Sequence, residues 1–496
     1  MTGKHRPWLG LFAILAAILL NLLDSTIVNV AAPSIQADLG GSYTSLQWIA
    51  AGYTLALAVG LLTGGRLGDM YGRRRMLLIG VTGFVVTSLA CAVAPSVETL
   101  IVARVLQGLF GAVMIPQGFG LIRDLFPPQE MSKAFGALGP VIGLSTILGP
   151  IVAGLLIDAD IFGTGWRMIF AINLPLGAFA LVTGRIALPP APAPDPSVAD
   201  RPARLDLAGV VLAAVGMFML VFPLMQGREL GWPVWMLAML VGSVPVLGGF
   251  VAYQLRRRQR GATPLVELSV FAKRSYTSGV VFVVVFFGAV VGFSLAVGLF
   301  LQLGLGYSPT KASLTMAAWA VGAFLGSGFS ATMMARLGRR ILHIGLSMMA
   351  IGIAALYLVF ERAGTSFGAW DLTVPLVVFG AGMGMIFVPL FDIIMGDVAD
   401  REVGSASGLL EAIQQLGASL GVAVLGTVFF SVAGSPSAHG LLDPATARHA
   451  AGIVTLLTLA LTAIAFALGF LLPRKARAHG ESAAVEPVAE LALAAA

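Results

Sequence analysis

The sequence predicts an all-α integral membrane protein of about fourteen transmembrane helices, and three observations predict it. Of 496 residues, 58% are hydrophobic and only 11% charged, against about 25% charged in soluble domains. The apolar residues gather in runs of about 20, the length that crosses a bilayer as a helix. The basic residues cluster between alternate runs, as the rules of membrane topology require. A soluble fold this apolar would expose large sticky patches, so most of the surface must face lipid. The net charge of +6 does not indicate nucleic acid, because the basic residues lie in short clusters between hydrophobic spans. A lone cysteine, Cys91, excludes an internal disulfide and a Cys metal site.

The first run starts at Trp8 behind Lys4, His5 and Arg6 and continues to Val30. That is too long for a cleavable signal core, so it reads as a retained first helix. The remaining spans fall at roughly 45–64, 76–94, 100–122, 134–157, 167–188, 205–224, 234–255, 276–300, 312–335, 341–360, 372–396, 404–430 and 449–472. With the N-terminus inside, five basic residues fall outside: Arg167, Arg228, Lys311, Arg362 and Arg448. Arg104 lies within a span, and every other Lys and Arg of the 30 falls inside. Dropping one early span would swap the side of every later cluster, so this asymmetry supports both the count and the orientation. Pro189-Pro190-Ala191-Pro192-Ala193-Pro194-Asp195-Pro196 forms a semi-rigid linker that separates six spans from the rest. The tail beyond Arg477 is Ala- and Glu-rich and is expected to be disordered.

Five stretches carry chemistry. Gly65-Arg66-Leu67-Gly68-Asp69-Met70-Tyr71-Gly72-Arg73-Arg74-Arg75 reads as a tight loop between spans two and three. Its glycines let helix ends approach, and Asp69 precedes Arg73 by four residues, a spacing that allows an ion pair. Ala335-Arg336-Leu337-Gly338-Arg339-Arg340 is a weaker counterpart after span ten, and internal repeats mark secondary transporters. Span four holds Arg104 with Gln107 and Gly108, and a charge inside a membrane helix costs at least about 2.5–3.5 kcal/mol. Span one holds Asp24, which burial makes costly unless it is paired or protonated. Asp24 and Arg104 lie about six residues from the outer ends of their predicted spans, hence at equal depth, about 9 Å in. Span five carries Gly139-Pro140, Gly143, Gly149-Pro150 and Gly154, small residues that permit close packing and prolines that kink. In span thirteen, Glu411 is followed by Gln414 and Gln415; Glu411 is either a cavity acid or one that reaches cytoplasmic water. Asp392 reads as interfacial and His343 as structural.

Together these stretches resemble the major facilitator superfamily, in its fourteen-span drug:proton antiporter branch (EmrB/QacA type). The Gly65–Arg75 stretch resembles the loop Gly-x-Leu-Ala-Asp-x-x-Gly-Arg-Arg, with Gly68 in place of Ala. Arg104-Val105-Leu106-Gln107-Gly108 resembles Arg-x-x-Gln-Gly. Span five resembles Gly-x(5)-Gly-Pro-x-x-Gly-Gly, with Ala153 in place of one Gly. Leu23 to Pro33 resembles the branch's first-helix signature. Trp48 with Tyr53, Trp166 to Pro175, Leu305-Gly306-Tyr307-Ser308-Pro309 and Gly404-Ser405-Ala406-Ser407-Gly408 agree with it, so the resemblance covers residues 8 to 472.

The resemblance implies the major facilitator fold: a six-helix bundle over 1–188, a cytoplasmic linker over 189–204, an extra hairpin over 205–260, a second six-helix bundle over 261–475 and a tail over 476–496. It implies a conformational latch at Gly65, Asp69, Gly72, Arg73, Arg74 and Asp124. It implies proton coupling at Asp24, Arg104, Gln107 and Glu411, and an antiporter motif at Gly143, Gly149, Pro150 and Gly154. Asn21, Trp48, Tyr53, Gln414 and Gln415 are candidate lining of a substrate cavity. The function implied is proton-driven export of drugs or other amphipathic small molecules across the cytoplasmic membrane, with both termini cytoplasmic. A dedicated exporter of an endogenous metabolite, lipid or siderophore shares these motifs, and an uptake symporter is disfavoured by Gly149-Pro150. The expected partners are the substrate, protons and the bilayer, without nucleic acid, metal or cofactor, and a monomer is compatible with the sequence. No Gly-x(4)-Gly-Lys-Ser/Thr loop and no catalytic triad occurs, so neither direct ATP drive nor enzymatic chemistry is expected.

Overall fold

In hydrocarbon every backbone N–H and C=O must find its partner within the chain, which leaves helix as the state for these apolar runs. The computed structural model describes residues 7–473 apart from 41–42, 128–129, 131–132, 135–136, 161–162, 190–205, 228–229, 263, 363–367, 400–401 and 435–441. Lys4, Arg6, almost all of the Pro-rich linker and the C-terminal tail lie outside the described residues.

Fourteen long helices make up the described chain. They are α1 (Pro7–Leu39), α2 (Tyr43–Tyr71), α3 (Arg73–Ala92), α4 (Val97–Leu125), α5 (Leu138–Ala159) and α6 (Asn173–Ala187), then α7 (Leu207–Gln226) and α8 (Val234–Gln259). There follow α9 (Arg274–Leu299), α10 (Pro309–Leu337), α11 (Arg340–Arg362), α12 (Ala369–Met395), α13 (Val403–Ala433) and α14 (Pro444–Gly469). Short turns at Gly165–Arg167 and Met168–Ala171 lead into α6. Thirteen segments among the described residues are long and apolar enough to cross a membrane. Side chains close exposed helix starts: Ser96 caps α4 in a reciprocal box with Thr99, and Ser308 caps α10 ahead of Pro309. The Ser308-Pro309 pair of the family signature is thus a helix start.

Two boundaries differ from the sequence expectation. Helix α1 runs past Val30 to Leu39, because Asp38 near its end is anchored by Trp166 Nε1 at 3.0 Å and by Arg167. Helix α2 continues through Gly65 and Asp69 to Tyr71, so the expected loop shrinks to Gly72. That residue has φ 90°, a conformation open to glycine.

The packing repeats. In the first half α1 packs on α5 and α6, α2 on α4, and α3 on α4 and α6; in the second half α9 packs on α13 and α14, α10 on α12, and α11 on α12 and α14. The halves meet through α2 with α13 and through α5 with α10, the exchange of partners expected of a two-fold pseudo-symmetry. The sequence repeat belongs to it, since Gly338, between α10 and α11, also has positive φ. Hairpin α7–α8 lies outside both bundles, with α7 resting on α2 and α13. Asp206 fixes its base: it caps α7 and accepts from Tyr253 Oη at 2.9 Å and Gln254 Nε2 at 3.0 Å.

Lipid supplies no hydrophobic drive between helices, so close backbone approach takes over. The α10–α12 pair is built this way. A Cβ on Gly322 or Gly326 would strike the carbonyl oxygens of Val377 and Ala381, and one on Gly380 or Gly384 those of Trp319 and Ala323. Gly326→Val should therefore destabilise the chain by about 1–3 kcal/mol, read as a lowered unfolding temperature in detergent. An unchanged transition would mean that this seam is not tightly packed.

Candidate functional site

Two clusters in the first half hold most of the candidate residues. The first is buried among α1, α2, α3, α4 and α6. Asp24 and Arg104 are 0% and 1% exposed and form a direct ion pair through Arg104 Nη1. The same nitrogen donates to Gln107 Oε1 at 2.6 Å, and Arg104 Nε donates to the Ile49 carbonyl at 3.1 Å. The guanidinium lies over the Tyr53 ring, 4.1 Å from its centroid, a cation–π contact that strengthens away from water. Asp24 Oδ1 accepts from Gln107 Nε2 at 3.1 Å and Asn173 Nδ2 at 2.9 Å. Both amides also donate to Ser88 Oγ, at 2.6 and 3.0 Å. The charge that reads as expensive in the sequence is thus paired and hydrogen-bonded, the condition under which a buried ion pair is tolerated. Breaking such a pair typically costs about 3–5 kcal/mol. Sequence reasoning found Asp24, Arg104 and Gln107 but missed Ser88 and Asn173. Ser88 looks like one more small residue in an apolar helix, whereas Asn173 sat in a quoted signature and was an available signal.

The second cluster joins the halves at the end of the bundle that carries the basic turns. Asp69 accepts from the backbone N–H groups of Gly404 at 3.0 Å and Ser405 at 2.9 Å. Its carboxylate therefore caps α13, where the helix dipole favours negative charge. Arg66 and Arg73 stand farther off, each 3.9 Å away. Arg73 instead pairs with Asp124 at 2.8 Å, and Arg74 donates to the Arg185 carbonyl at 2.7 Å, at the end of α6. The expected contacts of Asp69 with Arg73 and of Arg73 with Asp124 are present, but Asp69 reaches the second half by helix capping rather than by an ion pair. Gly65 makes this possible: a Cβ there would strike the Gly404 carbonyl oxygen. Around it, Ser407 Oγ donates to the Pro116 carbonyl at 3.0 Å and Arg123 Nη1 to the Val398 carbonyl at 3.1 Å. Phe119 stacks on Phe391 at 4.9 Å. Glu402, just before α13, pairs with Lys273 at 2.8 Å. Burial works against its charge, but Lys273 and the Ser269 hydroxyl outweigh that and hold its carboxyl below the ordinary glutamate range.

The other candidates separate. Asn21 Nδ2 donates to Tyr53 Oη inside the first bundle, and Tyr53 is 1% exposed, so both back the Asp24 site. Trp48 stacks on Phe222 of α7, with centroids 5.6 Å apart, which places it against the hairpin. Glu411 is half-buried on α13 within hydrogen-bonding reach of Gln414, and Gln415 is half-buried nearby. Asp392 lies within Coulombic reach of Arg123. His343 packs against Phe466 and Phe470. On α5, Gly149 is buried and Gly154 half-buried, and a Cβ on Gly154 would meet nothing within 4 Å among the described residues. The surroundings of Gly143 and Pro150 fall outside the described residues. No group of His, Cys, Asp and Glu among the described residues could hold a metal.

The family comparison decides how these clusters are grouped. The Major Facilitator Superfamily matches residues 14–422 and again 277–494. The chain belongs to that superfamily. It is 48% identical to the "Probable actinorhodin transporter" of Streptomyces coelicolor, over 89% of this chain and 75% of that protein. It is 36% identical to the "Tetracenomycin C resistance and export protein" of Streptomyces glaucescens, over 87% of this chain and 77% of that one. Among solved structures, the human organic anion transporter MFSD10 superposes with a TM-score of 0.63 at 14% identity, covering 92% of this chain and all of that chain. That likeness establishes the superfamily fold. The chain is a multi-pass membrane transporter of small molecules, not an enzyme.

Asp69→Asn keeps the shape of the latch but removes the charge and one of the two acceptors. Losing a helix cap of this kind is worth about 1–2 kcal/mol, a roughly 5–30-fold shift towards separation of α2 from α13. Spin-label distances between the two helix ends should lengthen and transport should slow several-fold. Unchanged distances and rates would remove the latch role.

Proposed function

We propose that this chain exports drug-like amphipathic small molecules across the cytoplasmic membrane in exchange for protons. The observation that carries the proposal is the Asp24–Arg104 pair, enclosed within the first bundle and linked through α4 to the contacts of Asp69 and Asp124. Intramembrane ionisable pairs of this kind mark proton relays and substrate pathways. The direction of transport is supported by the Gly149-Pro150 signature and by relatives named for resistance and export. Both relatives compared above bear the name of one compound, which favours a dedicated exporter of a single compound class as the second reading.

Asp24 is proposed as the proton carrier. Arg104 stabilises its carboxylate, and enclosure favours the neutral acid. A conformational change that alters the spacing of the pair tips this balance, so the proton is taken up on one side and released on the other. Gln107 orients both groups. Glu411, near the junction of the halves, is proposed to meet cationic substrate or a second proton. The basic turns are assigned to the cytoplasm, which makes the arrangement with Asp69 on α13 the outward-facing one.

Asp24→Asn should abolish uphill export in everted vesicles under a pH gradient while leaving substrate exchange without net protonation intact. Full uphill export in this variant would move the carrier elsewhere, with Glu411 next to be tested. For orientation, reporter fusions after residue 198 and at the C-terminus should both give cytoplasmic signals. A signal from the opposite side at either position would refute the assignment.

A further inference from the structure

Gln107 and Asn173 make matching contacts to Asp24 and Ser88, yet they are held differently. Gln107 has its Oε1 bound by Arg104 Nη1 at 2.6 Å, so the guanidinium fixes which end of that amide faces Asp24. Asn173 is fully buried, and its Nδ2 donates to Asp24 Oδ1 and Ser88 Oγ, but its own Oδ1 has no hydrogen-bond partner among the described residues. Its orientation is therefore set by what Asp24 presents. A carboxylate only accepts, whereas a carboxylic acid also donates. With Asp24 ionised, Nδ2 facing it is the satisfied arrangement. With a proton on Oδ1, the same place must supply an acceptor. A half-turn of the Asn173 amide puts its oxygen there, where it can accept from the acid and from the Ser88 hydroxyl. The turn breaks no bond at Oδ1, because none exists.

We propose that Asn173 is a positioning residue whose amide turns with the protonation of Asp24, offering a donor to the carboxylate and an acceptor to the acid. This rests on Asp24 being the coupling carboxylate. The ionisable groups facing Asp24 are Arg104 on α4, Tyr53 on α2 and Cys91 on α3. The segments from Met168 to Gly184 and from Leu138 to Ile157 carry no ionisable side chain. The switch keeps both states of the carrier carboxyl hydrogen-bonded, and the unpartnered end of the Asn173 amide passes from Oδ1 to Nδ2. The proton itself comes from and returns to water; Asn173 only re-aims.

The test is a pH titration of the full chain in liposomes, followed by infrared difference spectroscopy with the asparagine side chains isotope-labelled. No substrate is needed. In the unmodified chain, an acid carbonyl band that Asp24→Asn removes should rise together with a shift of a labelled amide band that Asn173→Leu removes. Asn173→Leu should also move the midpoint of the Asp24 band. Asn173→Asp places a second carboxylate beside Asp24 and should raise that midpoint by about one unit or more. An Asp24 band that titrates with an unchanged midpoint in both variants reduces Asn173 to packing and overturns the inference, as does a spectrum in which Asp24→Asn removes no acid band. Should Asn173→Leu fail to fold, the labelled amide band of the unmodified chain and the midpoint in Asn173→Asp still decide the matter. Uphill export that persists in Asp24→Asn sinks the coupling reading, whereas the infrared bands report on the amide directly, so the two failures are told apart.

Discussion

The structure depends on the requirement that the charges of Asp24 and Arg104, enclosed in a membrane bundle, be paired and hydrogen-bonded. An unpaired charge at this position would be expelled or neutralised. The chain meets the requirement with three polar side chains and one backbone carbonyl: Gln107 one turn along α4, Ser88 from α3, Asn173 at the start of α6 and the Ile49 carbonyl of α2. Each contact fixes a rotation or an axial position of its helix. The ordering of the first bundle around its charge therefore follows from hydrogen-bond accounting as much as from apolar packing.

The second half repeats the helix arrangement but not the chemistry. Its seam between α10 and α12 is closed by glycines against carbonyls, with no buried ion pair counterpart to Asp24–Arg104 among the described residues. The counterpart of the Gly72 turn, at Gly338, has lost the acid as well: Arg339 donates to the carbonyls of Phe470 and Leu472 in its own bundle. The contact of Asp69 with the second half is one-sided for this reason. One half supplies the carboxylate at Asp69, and the other supplies only the bare N–H groups at the start of α13. A helix N-terminus accepts a carboxylate without needing a charged partner side chain, so Gly404-Ser405 can be small enough for α2 to approach.

The sequence made legible whatever depends on lipid or on a charge within it. The apolar runs yielded the helix count, and the equal depth of Asp24 and Arg104 made their pairing possible without showing that they face each other. What it concealed depends on tertiary contact. The extension of α1 to Leu39 comes from Asp38 meeting Trp166 and Arg167, more than 120 positions away, and no local propensity encodes that. The true partners of Asp69 are backbone groups, which have no letter in a sequence, so a search for opposite charges found Arg73 instead. Trp48 carries the same composition signal whether it lines a cavity or stacks on Phe222; only the placement of α7 distinguishes them.

Helix α4 carries both clusters, and its geometry explains how they can act together. Arg104 and Gln107 lie near one end, Arg123 and Asp124 at the other, about 30 Å apart at 1.5 Å per residue. Pro116 lies between them, and its missing N–H leaves the Ala112 carbonyl without its helical partner. That carbonyl is where α2 comes nearest, since a Cβ on Gly64 would strike it. Gln117 Nε2 donates to the Gly64 carbonyl at 2.8 Å and to the Val113 carbonyl at 2.8 Å, so the weakened turn is tied sideways to α2. Ser407 of α13 takes the Pro116 carbonyl itself. A change in the spacing of Asp24 and Arg104 displaces the upper half of α4. The turn around Pro116 is where that displacement can be absorbed or passed on, and it is held by the same two helices, α2 and α13, whose ends Asp69 joins. On the proposed mechanism, protonation reaches the gate through this one weakened turn, so the coupling needs no contact between Asp24 and the latch.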